Sequence, residues 1–313
     1  MDERSKRWLV ASCATLAVLA AACGSTSAAS TKAGASGGAF PVSISAANGT
    51  VTVPARPHAI VSLSATATEM LYAIGAGSQV KAVDKDSDYP RRAPQTSLDG
   101  FQPNVEAIVA YHPDLVVVSD DSSGLSGRLA TFRIPVLVLP AAPTLAAAYG
   151  QYRELGQATG HEAQAAAEVA HVQSQIAQVV RVAPKTNATY YYELDPTYFS
   201  VTSSSFIGRV LGLLGLHNIA DTAPSAASSG GYPQLSSEFI VQSNPDYIFL
   251  ADTLCCGQSA KSVRARPGWS TVTAVEKDQV VALNDDIASR WGPRIVVLLQ
   301  DAEQALAAHR STS

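Results

Sequence analysis

Glu106 and Glu238 lie in two segments that read alike, PNVEAIVAYHPDLVVVSD at 103–120 and LSSEFIVQSNPDYIFLAD at 235–252. Ile108 and Ile240, Pro113 and Pro245, Asp114 and Asp246, and Asp120 and Asp252 keep the same offset. Each glutamate follows a residue of the type that caps a helix, Asn104 or Ser236. A carboxylate in a first helical turn gains about 0.3–1 kcal/mol from the helix dipole. Other reactive residue types form no catalytic set. His58, His112, His161, His171, His217 and His309 are scattered, without metal-ligand spacing, and the histidines of the long helical stretch are read as lying on a solvated face. No G-x-S-x-G elbow occurs at a strand-to-helix turn and no Ser–His–acid arrangement presents itself, nor does a glycine-rich phosphate fingerprint follow a first strand. The expected chemistry is binding, with no metal site and no cofactor.

Cys255 and Cys256 are adjacent in the loop CCGQS. A vicinal disulfide is one reading; two free thiols and intermolecular pairing are the others, and a two-cysteine metal site has too few partners.

The elements that must position these residues alternate in type. After a hairpin around Asn48-Gly49, HAIVSLS reads as a buried strand, ATATEMLYAIGAG as a helix and QVKAVD as a strand. PNVEAIVAYH is a helix and PDLVVVSD a strand, followed by one more helix and the strand IPVLVLP. Short, wholly apolar strands between helices imply a mainly parallel sheet covered on both faces. Residues 144–182 are helical throughout apart from a break at Gly160. Val169, Val172, Ile176 and Val179 recur there at helical spacing in a stretch about 31 Å long. The alternation then resumes with ATYYYEL as a strand, whose tyrosines are read as core, and it closes with SRWGPRIVVLLQDAEQAL as a terminal helix. The fold class is α/β, two lobes of about residues 41–143 and 183–313 joined by the helical segment 144–182.

Composition agrees with this reading. A 313-residue chain that is 47% hydrophobic and 15% charged is globular, and a net charge of −4 gives no basis for nucleic-acid binding. Arg4, Lys6 and Arg7 precede an uncharged, mostly apolar run from Leu9 to Ala22, the length of an export signal rather than a membrane span. Cys23 follows VLAAA in the manner of a lipidation site, so residues 1–22 are read as a signal peptide; Cys13 is a second candidate for the lipid. Residues 23–40, rich in Gly and Ser, are read as a tether. The protein is expected to be exported and lipid-anchored to the outer face of the bacterial cytoplasmic membrane.

HAIVSLSATATEMLYAIGAGSQVKAVDKDSDYP, NVEAIVAYHPDLVVVS, LGQATG before the long helix, and SSEFIVQSNPDYIFLAD occur here in an order and spacing that cover nearly all of the mature chain. In them the sequence resembles the solute-binding proteins of iron–siderophore and cobalamin ABC importers, its cobalamin-binding branch above all. The resemblance implies two Rossmann-like lobes on one rigid helix, a metal chelate held between them, and a monomer that delivers it to an ABC permease and its ATPase. It also implies that Glu106 and Glu238 dock into arginine pockets of the permease, where a carboxylate–guanidinium pair is directional. A sensor or structural lipoprotein of the same fold, and an exported α/β hydrolase, are the alternatives.

Ligands of open α/β sheets gather beyond the strands' carboxyl ends. Asp86, Phe101, Asp120, Tyr232, Arg290 and Trp291 are the candidate contacts there. The aromatic three offer flat apolar surface, and Arg290 suits a phosphate, carboxylate or hydroxamate. Asp86 and Asp120 stand where known cobalamin binders carry aromatic residues, which leaves the ligand open between a corrinoid and a ferric siderophore.

Overall fold

The structure, a computed structural model, describes residues 39–310. The export signal, Cys13, Cys23 and most of the tether lie outside the described residues. Two strands, β1 (Val42–Ala46) and β2 (Gly49–Val53), pair antiparallel as a hairpin whose turn residues are Ala47 and Asn48, with Gly49 already paired to Ala46. Gly49 takes φ 97°, a conformation open to glycine at little cost. The Asn48 amide clips this turn to the neighbouring sheet, donating to Val136 O at 2.9 Å and accepting from Val138 N at 3.3 Å.

The first sheet contains β3 (Ile60–Leu63), β4 (Val80–Val83), β5 (Leu115–Val118) and β6 (Val136–Val138), all parallel in the order β4-β3-β5-β6. Three helices connect them: α1 (Ala65–Ala73), α2 (Val105–Val109) and α3 (Leu125–Ala130). Two longer helices follow, α4 (Leu145–Thr159) and α5 (Glu162–Val182). The second sheet contains β7 (Thr189–Glu193), β8 (His217–Asn218), β9 (Tyr247–Leu250) and β10 (Val280–Ala282) in the order β8-β7-β9-β10, again all parallel. Its helices include α6 (Phe206–Gly212) and α7 (Ser237–Ser243), and the described residues close with the helix Ile295–Arg310. The first, second and third strands of each sheet therefore occupy the same relative places.

Period-2 alternation of strand side chains explains the layering. Ile60, Leu115 and Val117, with Tyr190, Tyr192 and Phe249, join one continuous core with Val169, Val172, Ile176 and Val179 of α5. Val61, Val116 and Val118 face a separate core on the outer side of the first sheet. Tyr191, Ile248 and Leu250 do the same on the second. All three tyrosines at 190–192 are thus buried, as core residues should be.

Two local readings change. His161 is not on a solvated face: it is buried at the start of α5, its ring 3.2 Å from Arg56 Nη2 and 3.1 Å from Thr159 Oγ1. Gly160, at φ 71°, folds α4 back onto α5 and brings the ring inward. The terminal helix starts at Ile295, because Gly292-Pro293 interrupts any helix before it and frees residues 289–294 as a loop.

Candidate functional site

The two copies of the repeated segment build the same local structure. Asn104 caps α2 by accepting from Ala107 N at 2.8 Å, and Ser236 caps α7 by accepting from Phe239 N at 3.1 Å. Glu106 and Glu238 are each the second residue of their helix, both exposed and without a side-chain partner among the described residues. Behind them, Asp114 accepts from His58 N and Ala59 N at 2.8 and 3.0 Å, ahead of β3. Asp246 accepts from Thr189 N and Oγ1 at 2.8 and 3.0 Å, at the start of β7. In both halves the aspartate before the third strand anchors the start of the first.

At the strands' carboxyl ends the halves meet through charge. Arg290 is buried and donates to Glu69 Oε1 (3.1 Å), Asp88 Oδ1 (3.0 Å), Asp86 O (2.9 Å) and Asp286 Oδ1 (2.8 Å). Arg294 binds Glu69 through Nε at 3.0 Å and Nη2 at 2.6 Å. Glu69, Asp86 and Asp88 belong to the first half; Asp286, Arg290 and Arg294 to the second. Partial burial works to raise Asp88, but its bond to Arg290 prevails and holds it below the usual carboxylate range. Burial lifts Asp286 above that range, against the pull of the same arginine.

A second buried cluster lies wholly in the second half. Arg266 makes two 2.6 Å bonds to the buried Glu193 and one of 2.7 Å to Gln258. Its guanidinium sits 4.6 Å from the Trp269 ring centroid. Asp252, at the end of β9, is also fully buried, and neither carboxyl oxygen has a hydrogen-bond partner. Burial first, and the negative charge of Glu193 second, push it up to about 7. Over this cluster the segment 253–256 forms one helical turn whose N–H groups at Thr253, Leu254 and Cys255 all donate to the Asp285 carboxylate, at 2.8–2.9 Å. Cys255 and Cys256 are disulfide-bonded to each other at the exposed end of that turn.

Of the six residues singled out as ligand contacts, the structure brings three into one neighbourhood: Asp86 through its carbonyl, Arg290 and Trp291. Arg290 does not present a free guanidinium, since four protein acceptors engage it. Trp291 is half-buried and its Nε1 donates to Gln151 of α4 at 2.7 Å. Phe101 (85% exposed) and Tyr232 (46% exposed) are open to solvent and make no bond to this cluster. Asp120 is exposed, with its carboxyl turned onto Ser122 N at 3.0 Å. Sequence reasoning passed over Glu69, Asp88, Asp286 and Arg294. Glu69 carried one signal, an acid inside the otherwise uncharged helical stretch ATATEMLYAI.

A cavity of about 410 Å³ lined by Tyr247, Gln279, Val281 and Ala305 lies at the amino end of β9, away from these clusters. One of about 230 Å³, lined by Glu69, Tyr72, Tyr89, Arg92 and Pro293, draws on both halves. Among the described residues no group of three or more His, Cys, Asp or Glu could hold a metal, and no helix is long and apolar enough to cross a membrane.

Comparison with known proteins agrees with this architecture. A Bacillus subtilis protein named as an uncharacterized ABC transporter substrate-binding lipoprotein is 29% identical over 85% of this chain and 86% of its own length. A cobalamin-binding protein of Halobacterium salinarum is 31% identical over 87% of this chain and 75% of its own. The solved periplasmic heme-binding protein of Vibrio cholerae superposes with a TM-score of 0.69 over 80% of this chain and 98% of its own, at 23% identity, a likeness of fold. The family described as periplasmic binding protein matches residues 60–287, and the chain belongs to that family.

Proposed function

We propose that this protein is the extracytoplasmic solute-binding component of an ABC importer, taking a metal chelate of the corrinoid or ferric-siderophore class between its two halves. The observation that carries the reading is family membership combined with a repeat that sets one exposed, unpaired glutamate at the same helical position in each half. Two identical carboxylates, one per half, suit a permease that meets each half with an arginine, since the guanidinium fork matches a carboxylate in two parallel bonds. Ligand enters beyond the strands' carboxyl ends, where Phe101 and Tyr232 offer exposed rings and Asp86, Asp120 and Trp291 line the approach. Arg290 serves that region by holding the two halves together. Cys23 carries the lipid that keeps the mature protein at the membrane, after removal of residues 1–22, with 23–40 as the tether.

The test is uptake by a strain carrying Glu106→Arg with Glu238→Arg. Transport is lost while the purified protein binds its chelate as the parent does; normal uptake by the double variant refutes the docking role. The absorption spectrum of protein purified from its own host separates a red corrinoid from an orange ferric siderophore.

A further inference from the structure

Residues 290–294, Arg-Trp-Gly-Pro-Arg, belong to the second half, yet they wrap one side chain of the first. Glu69 projects from α1, is 1% exposed, and receives the three bonds from Arg290 and Arg294 described above. Gly292 completes the enclosure: a Cβ there would stand 3.3 Å from Glu69 Oε2 and 3.5 Å from its Cβ. Trp291 ties the same loop to Gln151, whose own amide donates to Pro140 O at 2.6 Å. Arg294 also lies 4.3 Å from the ring centroid of Tyr89, a first-half residue. Within five consecutive residues, four therefore touch the first half or the helix that follows it.

We infer that Glu69 is a positioning residue, the tongue of a clasp that sets how the two halves sit across the loops that face the ligand; this rests on the proposed function only for the identity of those loops. Glu69 is held from below by α1, which packs on the first sheet. Its cradle is held by the terminal helix, which packs against α5 and α6. A bidentate Arg294–Glu69 pair is directional, so it fixes orientation as well as distance. A buried ion pair adds little net stability over an apolar replacement, because both ions must be stripped of water. Such a contact can specify an arrangement and still let go. Removing one partner is a different matter: Glu69→Gln leaves two arginines facing the first half with only Asp88 and Asp286 to answer them.

Hydrogen exchange read by mass spectrometry on the full mature chain tests this without any ligand, so its outcome is separable from that of the transport reading. In Glu69→Gln, amides of 86–92 and 286–294 are expected to exchange at least tenfold faster together, while β3 and β7 stay as protected as in the parent. Adding Arg294→Gln to that variant should accelerate them no further, since one clasp is already open. Gly292→Val keeps every charge and should reproduce the pattern more weakly, which preserves the test if Glu69→Gln does not fold. Parental exchange in both segments, acceleration spread evenly through α1 and β3, or additive effects of the two glutamine substitutions would each overturn the inference.

Discussion

Asp252 should make the stability of this protein fall as pH rises, and Asp252→Asn should abolish that fall. The carboxyl is fully buried beside Glu193 with no donor on either oxygen, so the folded state keeps the proton to about 7 against an ordinary 3.8. The unfolded chain releases it near the ordinary value. Stability from this group is therefore fully present below pH 3.8 and is lost progressively as pH climbs through about 7. At roughly 1.4 kcal/mol for each tenfold change in proton affinity, the ceiling on the loss is about 4 kcal/mol. Relaxation of the Glu193–Arg266 pair and entry of water bring the expected figure to about 2 kcal/mol. Asparagine keeps the shape, cannot ionise, and turns an amide donor toward Glu193. At pH 8 the variant should then melt roughly 5 °C above the parent, and below about pH 3.8 within about 1 °C of it, by calorimetry or circular dichroism. An equal gain at both values, or a parent-like pH slope in the variant, would refute the assignment of the proton to Asp252.

Two further predictions follow from the same geometry. Arg266→Met strands Glu193, which is fully buried, and should cost about 3–5 kcal/mol in urea unfolding, with Asp252→Asn relieving part of the loss. Asn104→Ala and Ser236→Ala each remove one cap from an equivalent helix start and should each cost about 1 kcal/mol; sited in separate helices of separate halves, the two losses should add in the double variant.

Much of the fold was legible because it rests on local pattern. The alternation of short apolar strands with helices, the four valine and isoleucine positions of α5, the hairpin at Asn48-Gly49 and the capping residues of α2 and α7 all act within a few residues of themselves. The repeat was legible too, down to the aspartates at 114 and 246. What stayed hidden involves partners far apart in the chain. Glu69 meets arginines more than 200 residues away, and no spacing rule links ATATEMLYAI to RWGPR. Arg290 looked like a ligand contact because a lone arginine near a strand end suits an anion; four acceptors from three segments occupy it instead.

Asp120 and Asp252 mark the boundary between the two kinds of knowledge. The sequence alone determined that they are equivalent, each ending the third strand of its sheet, because the residues before them match. Only the tertiary structure decided that one stays wet and below the ordinary carboxylate range, held there first by its bonds to Ser122, while the other is sealed and holds its proton toward neutrality. After Asp120 the chain turns through a short serine-rich loop. After Asp252 it folds back as a helical turn and brings Arg266 onto Glu193, which the neighbouring strand β7 already sets beside Asp252. Water around a carboxyl is set by whatever later segments happen to cover it, and that depends on the whole molecule.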